Sequence, residues 1–465
     1  MLFSSLVFLA FFLPLFFLLY CLVSGIKAKN RVLFAMSLFF YEWGEPVHVL
    51  LMMLILGINY YSALLIGSSR KRKRGWLLFA ISVDVLTLVF YKYSAFLFRS
   101  IGEMMDISLS VPDIVLPIGI SFYMFQIIAY LIDVYRGKIE PQTDFVTLGA
   151  FLAAFPQLIA GPIVRYTDVQ KELIDRRPSG QDIEQGAIRF IIGLSKKELI
   201  ANRVAAVADA LFALAPDKLG FLGTWIAAVS YTIQIYYDFS GYSDMAIGLG
   251  RIIGFHYPKN FDHPYAAKSI RDFWKRWHIT LTDFFREYVY IPLGGNRVSR
   301  GRWVGNILFV WCLTGIWHGA GFNFICWGLY YGLLLLIERL LFPRFTSKHP
   351  IWAYAATMLL TVIGWVLFRA DSLKDAFLIM KGMAGLFGFI PKQFTGILLK
   401  AGFNTIYVVS LLTGIFFSIP HPEMYRKAVS LGRGIPLKTS LVLLLLLDYV
   451  TLASGAYNPF IYFRF

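Results

Sequence analysis

No residue between Leu2 and Ile26 carries a charge, and stretches of the same kind recur along the chain. They cover 46–69, 114–132, 145–164, 219–237, 303–337, 350–368 and 401–422. Shorter ones lie at 32–41, at 76–91 interrupted by Asp84, and at 441–456 interrupted by Asp448. A bilayer core about 30 Å thick takes roughly 20 apolar residues of helix to cross. The expectation is an all-α polytopic integral membrane protein of about eleven helices, including an amphipathic stretch at 187–215. The first uncharged run lacks a basic leader and a small-residue cleavage site, and it is too long for a signal peptide's apolar core. It is expected to remain as a helix.

Composition supports this reading. Of the 465 residues, 58% are hydrophobic and 15% charged, against about 25% charged in soluble domains. Neither soluble domains nor a disordered chain fits. Yet 44 Lys and Arg stand against 28 Asp and Glu, a net charge of +16. Short basic loops stay on the cytoplasmic side, which places Lys27–Arg31, Arg70–Arg74 and Arg136–Lys138 inside. A hairpin must then turn outside at Trp43-Gly44-Glu45-Pro46, with the N-terminus outside as well. No internal repeat is visible, which disfavours the duplicated plan of many transporters. Cys21, Cys312 and Cys326 have neither disulfide-framework nor zinc-ligand spacing.

The longest polar interval, 259–302, reads as a cytoplasmic interfacial segment. From Lys268 to Arg302 it holds eight Lys or Arg and three acids, interleaved with Phe273, Trp274, Trp277, Phe284, Phe285, Tyr288 and Tyr290. Rings at headgroup depth and snorkelling cations suit a membrane surface. The same cations also suit a phosphate-bearing ligand. Nucleic acid is not expected, because membrane phospholipid is a ready partner for this charge.

Within 303–337 the one ionisable side chain apart from cysteine and tyrosine is His318, flanked by glycines in Gly315-Ile316-Trp317-His318-Gly319-Ala320-Gly321. Split there, each arm has about 15 residues and rises roughly 22 Å. That is short of a bilayer, and would set His318 at the floor of a water-filled depression. A buried histidine bonded to a carbonyl is the plain alternative. The cost of ionisable groups in a membrane favours function, and general base toward a hydroxyl is the natural chemistry of one neutral imidazole. Thr314 and Gly315 share its helix face whereas Cys312 does not. No second histidine or carboxylate lies near enough in sequence to indicate a metal site.

His278, in Lys275-Arg276-Trp277-His278, is either headgroup-facing or a base kept neutral by its cationic neighbours. Asp238, Ser240, Ser243 and Asp244 follow an apolar span, where they could pair with basic groups, bind a cation or line a passage. Asp84 and Asp448 also need partners.

Taken in order, these motifs resemble a known family. Leu116-Pro117-Ile118-Gly119-Ile120-Ser121-Phe122-Tyr123 and Phe155-Pro156-Gln157-Leu158-Ile159-Ala160-Gly161-Pro162 come first, then the stretch 237–250. Phe273-Trp274-Lys275-Arg276-Trp277-His278, Tyr290-Ile291-Pro292-Leu293-Gly294-Gly295-Asn296-Arg297, Trp317-His318-Gly319-Ala320 and the terminal Asn458-Pro459-Phe460-Ile461-Tyr462-Phe463-Arg464-Phe465 follow. Together they resemble the membrane-bound O-acyltransferase (MBOAT) family, in its bacterial alginate O-acetylase branch. The resemblance implies one domain over 1–465, with core motifs in 114–330, built as a ring of tilted helices around a central funnel. It implies His318 as the catalytic histidine and His278 as a second catalytic position toward the cytoplasm. Trp317, Asp238, Ser240, Lys275, Arg276 and Asn296 join them as the expected substrate- or donor-binding set.

The resemblance further implies a multi-pass protein of the bacterial cytoplasmic (inner) membrane, with no bound cofactor. Its substrate would be an acyl thioester, acetyl-CoA or an acyl carrier, used for O-acetylation of an exported polysaccharide such as alginate. An extracytoplasmic partner protein would receive the acyl group. His318 would act as general base or be transiently acylated itself. The competing readings are a transporter or channel exporting a polymer or acyl donor, and a scaffold of a secretion complex.

Overall fold

The computed structural model describes every residue except 70, 108–109, 112–113, 343–347, 392, 422–434, 456 and 461–465, and describes 435–437 by backbone alone. Arg70 and the last five residues of the terminal motif thus lie outside the described residues. All regular elements among the described residues are helices. Four are long and apolar enough to cross a membrane: His48–Ser68, Lys73–Met105, Phe322–Leu341 and Pro350–Arg369. A fifth candidate is the pair Phe394–Lys400 and Thr405–Phe417, bent by 84°. The bend follows from Gly402 at φ +88° and from Asn404, which caps the second helix by accepting from the Tyr407 N–H.

Several uncharged runs are divided differently from expectation. The run 145–164 is not one span. Asp144 caps a helix over Phe145–Leu152, and Pro156 sits in the first turn of a separate short helix, Phe155–Leu158, where its missing N–H costs nothing. Conversely, Asp84 does not interrupt its run. It lies inside a 33-residue helix, Lys73–Met105, because Asn59 of the neighbouring helix donates to its carboxylate at 2.8 Å.

The run 303–337 does break at the glycines, but its arms are longer than 15 residues. Arg300–His318 has 19 residues and Phe322–Leu341 has 20, about 28 and 30 Å of helix. The second arm extends into charged residues that have partners. The Arg339 guanidinium lies 4.6 Å from the Trp303 ring centroid, and Glu338 accepts from the Ile270 N–H at 2.7 Å.

The chain forms two compact units, Met1–Phe190 with Ser243–Lys259, and Ile191–Tyr242 with Asn260–Phe465. The first has an aromatic core in which Phe155 meets Phe12 and Phe16 at centroid separations of 5.1 and 4.9 Å. Its buried Arg176 donates to Tyr20 Oη and Asn30 Oδ1. The second contains both candidate histidines.

In the second unit the two arms pack backbone against backbone. A Cβ on Gly328 would lie 2.2 Å from the Trp311 carbonyl oxygen, and one on Gly315 2.2 Å from that of Phe324. Small residues at such contacts let helices approach in lipid. Gly328→Ala is therefore expected to lower stability by about 1–3 kcal/mol, the usual penalty of overpacking. Gly305→Ala, at a helical position with nothing within 4 Å, should raise it by up to about 1 kcal/mol. Thermal melts of the two purified variants in detergent check the contrast, and equal melting temperatures would contradict it.

Candidate active site

His278 is placed by two short helices. Ser269 caps the first, Ile270–Arg276, by accepting from the Asp272 N–H. The chain then turns through His278, at φ 44° and ψ 54°, into the helix Ile279–Phe285. A side-chain-bearing residue in this left-handed region is uncommon and needs its surroundings to hold it there. His278 is only 1% exposed, so it does not face headgroups. Its ring meets Phe239 edge-on at 4.7 Å, and Trp317 lies at 6.0 Å. Its Nδ1 is 3.0 Å from Asn260 Oδ1.

Burial holds the His278 pKa well below the usual imidazole value, and the charge of His318 acts in the same direction. His278 is thus neutral at pH 7. The expected cause was different: Lys275 is exposed, and Arg276 is engaged with Asp272 and the Asp262 carbonyl. Desolvation, which a sequence does not display, takes their place.

His318 is the last residue of its helix and is 8% exposed. Its Nδ1 lies 2.7 Å from the Thr314 carbonyl oxygen. A carbonyl can only accept, so Nδ1 carries the proton and Nε2 keeps its lone pair. Trp317 and Trp327 each lie 4.8 Å from the imidazole, and Phe368 lies 5.5 Å away. Asn323 donates to the Ala370 carbonyl at 3.0 Å, tying the start of the next helix to the end of the one carrying Phe368. The base thus sits in a wall of rings rather than at an open floor.

The other expected site residues fall into two groups. Trp317 is buried and its ring touches both histidines. Asp238 and Ser240 are buried in the same unit, and Asp238 precedes the Phe239 that packs on His278. Asp238 forms an ion pair at 2.5 Å with Lys197, both side chains being almost fully buried. Lys197 lies in a π-helical segment, Lys196–Ala201, and also donates to the Pro459 carbonyl. In the other unit, Asp244 pairs with Arg189 at 2.8 Å. By contrast Lys275 and Asn296 are exposed. Near Asn296 the polypeptide is held by Asn306, which donates to the Leu293 and Gly295 carbonyls.

Sequence reasoning missed Asn260, Lys197, Trp327 and Phe368. Asn260 is uncharged and 18 positions before its partner, and ring packing has no signature in spacing. Lys197 had a faint one, a charged Lys-Lys-Glu triplet inside an otherwise helical stretch.

Comparison with known proteins identifies the family. Residues 142–370 match the profile of the membrane-bound O-acyltransferase family. The chain is 37% identical to a protein of Pseudomonas putida named probable alginate O-acetylase AlgI, over the full length of both. It is also 37% identical to the peptidoglycan O-acetyltransferase of Helicobacter pylori, over 83% of this chain and 80% of that one. The teichoic acid D-alanyltransferase of Bacillus subtilis is 28% identical over 50% of this chain and 61% of its own. With a full-length relative at this identity and a family match spanning both histidines, the chain belongs to the membrane-bound O-acyltransferase family and is an O-acyltransferase.

Proposed function

We propose that this enzyme takes an acetyl group from a cytoplasmic thioester, acetyl-CoA or an acyl carrier, for O-acetylation of an exported polysaccharide. Alginate or a similar glycan is the acceptor, the bacterial inner membrane is the site, and an extracytoplasmic partner protein completes the transfer. The observation that carries the reading is the His318 tautomer: Nδ1 is committed to the Thr314 carbonyl, so Nε2 is the basic atom. Nε2 takes the proton of an acceptor hydroxyl as its oxygen attacks the thioester carbonyl. The carbon–sulfur bond breaks, and the imidazolium returns the proton to the departing thiolate, leaving an ester and a thiol.

The named activities of the relatives support this choice, since two of them are O-acetyltransferases or O-acetylases of glycans by name. The exposed Arg286, Arg297, Arg300 and Arg302 suit lipid headgroups or a phosphate-bearing donor. The transporter reading leaned on the multi-span topology and on Asp238 and Asp244, and each of these carboxylates is paired, with Lys197 and with Arg189.

Purified protein in detergent, given labelled acetyl-CoA and oligosaccharide with and without candidate extracytoplasmic proteins, should form acetyl ester. Chemical analysis of the exopolysaccharide from a deletion strain should show the ester groups missing. An unchanged ester content would sink the polysaccharide assignment.

A further inference from the structure

Asn260 is fully buried and gathers three successive residues around His278. Its backbone carbonyl accepts from the Ile279 N–H at 3.0 Å. Its side-chain oxygen accepts from the Thr280 N–H at 3.3 Å and the Thr280 hydroxyl at 2.9 Å, and it lies 3.0 Å from His278 Nδ1. A backbone N–H can only donate, so the atom facing Thr280 must be the amide oxygen and not the nitrogen. An amide oxygen in turn only accepts. His278 Nδ1 must therefore carry a hydrogen, and in the neutral ring the lone pair is on Nε2.

The amide nitrogen supports the same reading. Asn260 Nδ2 is buried with no hydrogen-bond partner among the described residues. An unpaired buried donor is unfavourable, yet turning the amide over would set its N–H against the Thr280 backbone N–H, two donors face to face. The site thus keeps the acceptor and forgoes the donor. It also keeps His278 in the left-handed backbone region, through the contacts to Ile279 and Thr280.

We infer that Asn260 is a positioning residue of the acyl-transfer site, holding His278 as its Nδ1–H tautomer so that Nε2 is a second proton acceptor beside His318. This rests on the acyl-transfer reading above and extends it to a residue outside the histidine pair. The groups facing His278 include Asn260, the rings of Phe239, Phe261 and Trp317, and His318, whose protonation would act on it through space. Asp238, next to Phe239, is tied to Lys197. The group that faces Nδ1 is thus a neutral amide oxygen.

The test uses the full-length protein in detergent, labelled with ¹⁵N-histidine, with His278→Gln identifying the resonances of that ring. Wild type should show the Nδ1–H tautomer of a neutral ring through neutral pH. Asn260→Asp keeps an acceptor for Thr280 but adds a negative charge beside the ring. It should make His278 protonate at higher pH, and should move the acid limb of the acetyl-transfer rate upward with it. Asn260→Ala should lose the single tautomer and slow turnover by about 10–100-fold.

A wild-type Nε2–H tautomer would overturn the inference, as would an Asn260→Asp enzyme whose pH profile matches wild type. An Asn260→Ala enzyme with a scrambled tautomer and full activity would overturn the role in acyl transfer. Failure of the acyl-transfer reading itself would appear separately, as a wild-type protein that transfers nothing while its His278 spectrum still reports the tautomer.

Discussion

His318→Ala is expected to abolish measurable acyl transfer while leaving the protein folded. The expected loss is about 10²–10⁴-fold, the range that one positioned general base supplies. The residue qualifies because its Nδ1 is bonded to the Thr314 carbonyl at 2.7 Å, which puts the lone pair on Nε2, and because three rings fix its plane. Truncation would also leave a gap beside Trp327 and Phe368, so His318→Gln belongs in the same experiment to preserve most of the volume. Both variants should elute as wild type on size exclusion and fail in the labelled-donor assay. Full activity in either would remove His318 from the chemistry. Mass spectrometry of quenched enzyme separates the two modes of action: an acyl-imidazole on His318 indicates nucleophilic catalysis, and its absence in a slow variant indicates general base.

The largest expected stability effect is at the Lys197–Asp238 pair. Both side chains are almost entirely out of solvent, with nitrogen and oxygen 2.5 Å apart. Removing one partner of such a pair strands a buried charge, at a cost of about 3–5 kcal/mol. Lys197→Met and Asp238→Leu should each lower the melting temperature sharply in detergent. The double variant should recover most of the loss, because two apolar groups of similar volume strand nothing. A double-mutant cycle reads the coupling directly. Additive losses would mean that the pair is not coupled and that Asp238 has some other role. The same cycle bears on transport, since a conducting carboxylate would not be rescued by a double apolar replacement.

What was legible in the sequence follows from what bilayers and ionisation penalise. Uncharged runs of about 20 residues stand out because lipid excludes charge, and His318 stands out against such a run for the same reason. The break at Gly319–Gly321 was legible because glycines flank the histidine. Its consequence was misjudged, because the arms continue past the uncharged run to Arg300 and Leu341, with Arg339 over the Trp303 ring and Glu338 accepting from the Ile270 N–H, contacts that spacing does not reveal. The intact helix through Asp84 depends on an asparagine 25 positions away. The neutrality of His278 was anticipated, but its cause is burial, a property of packing; a reading by sequence neighbours assigned it to Lys275 and Arg276. Asn260 escaped notice because an uncharged amide in a polar interval carries no local mark of the three bonds to its side-chain oxygen.

The wall of rings around His318 also bears on chemoselectivity. Water competes with every sugar hydroxyl for an activated acyl group, and in a cell it is always the more abundant nucleophile. Trp317, Trp327 and Phe368 surround a base that is 8% exposed, and a site that excludes water suppresses such side reactions. Under the acetyl-transfer function proposed above, these rings would serve the economy of the donor, sparing acyl groups from hydrolysis until the intended alcohol arrives.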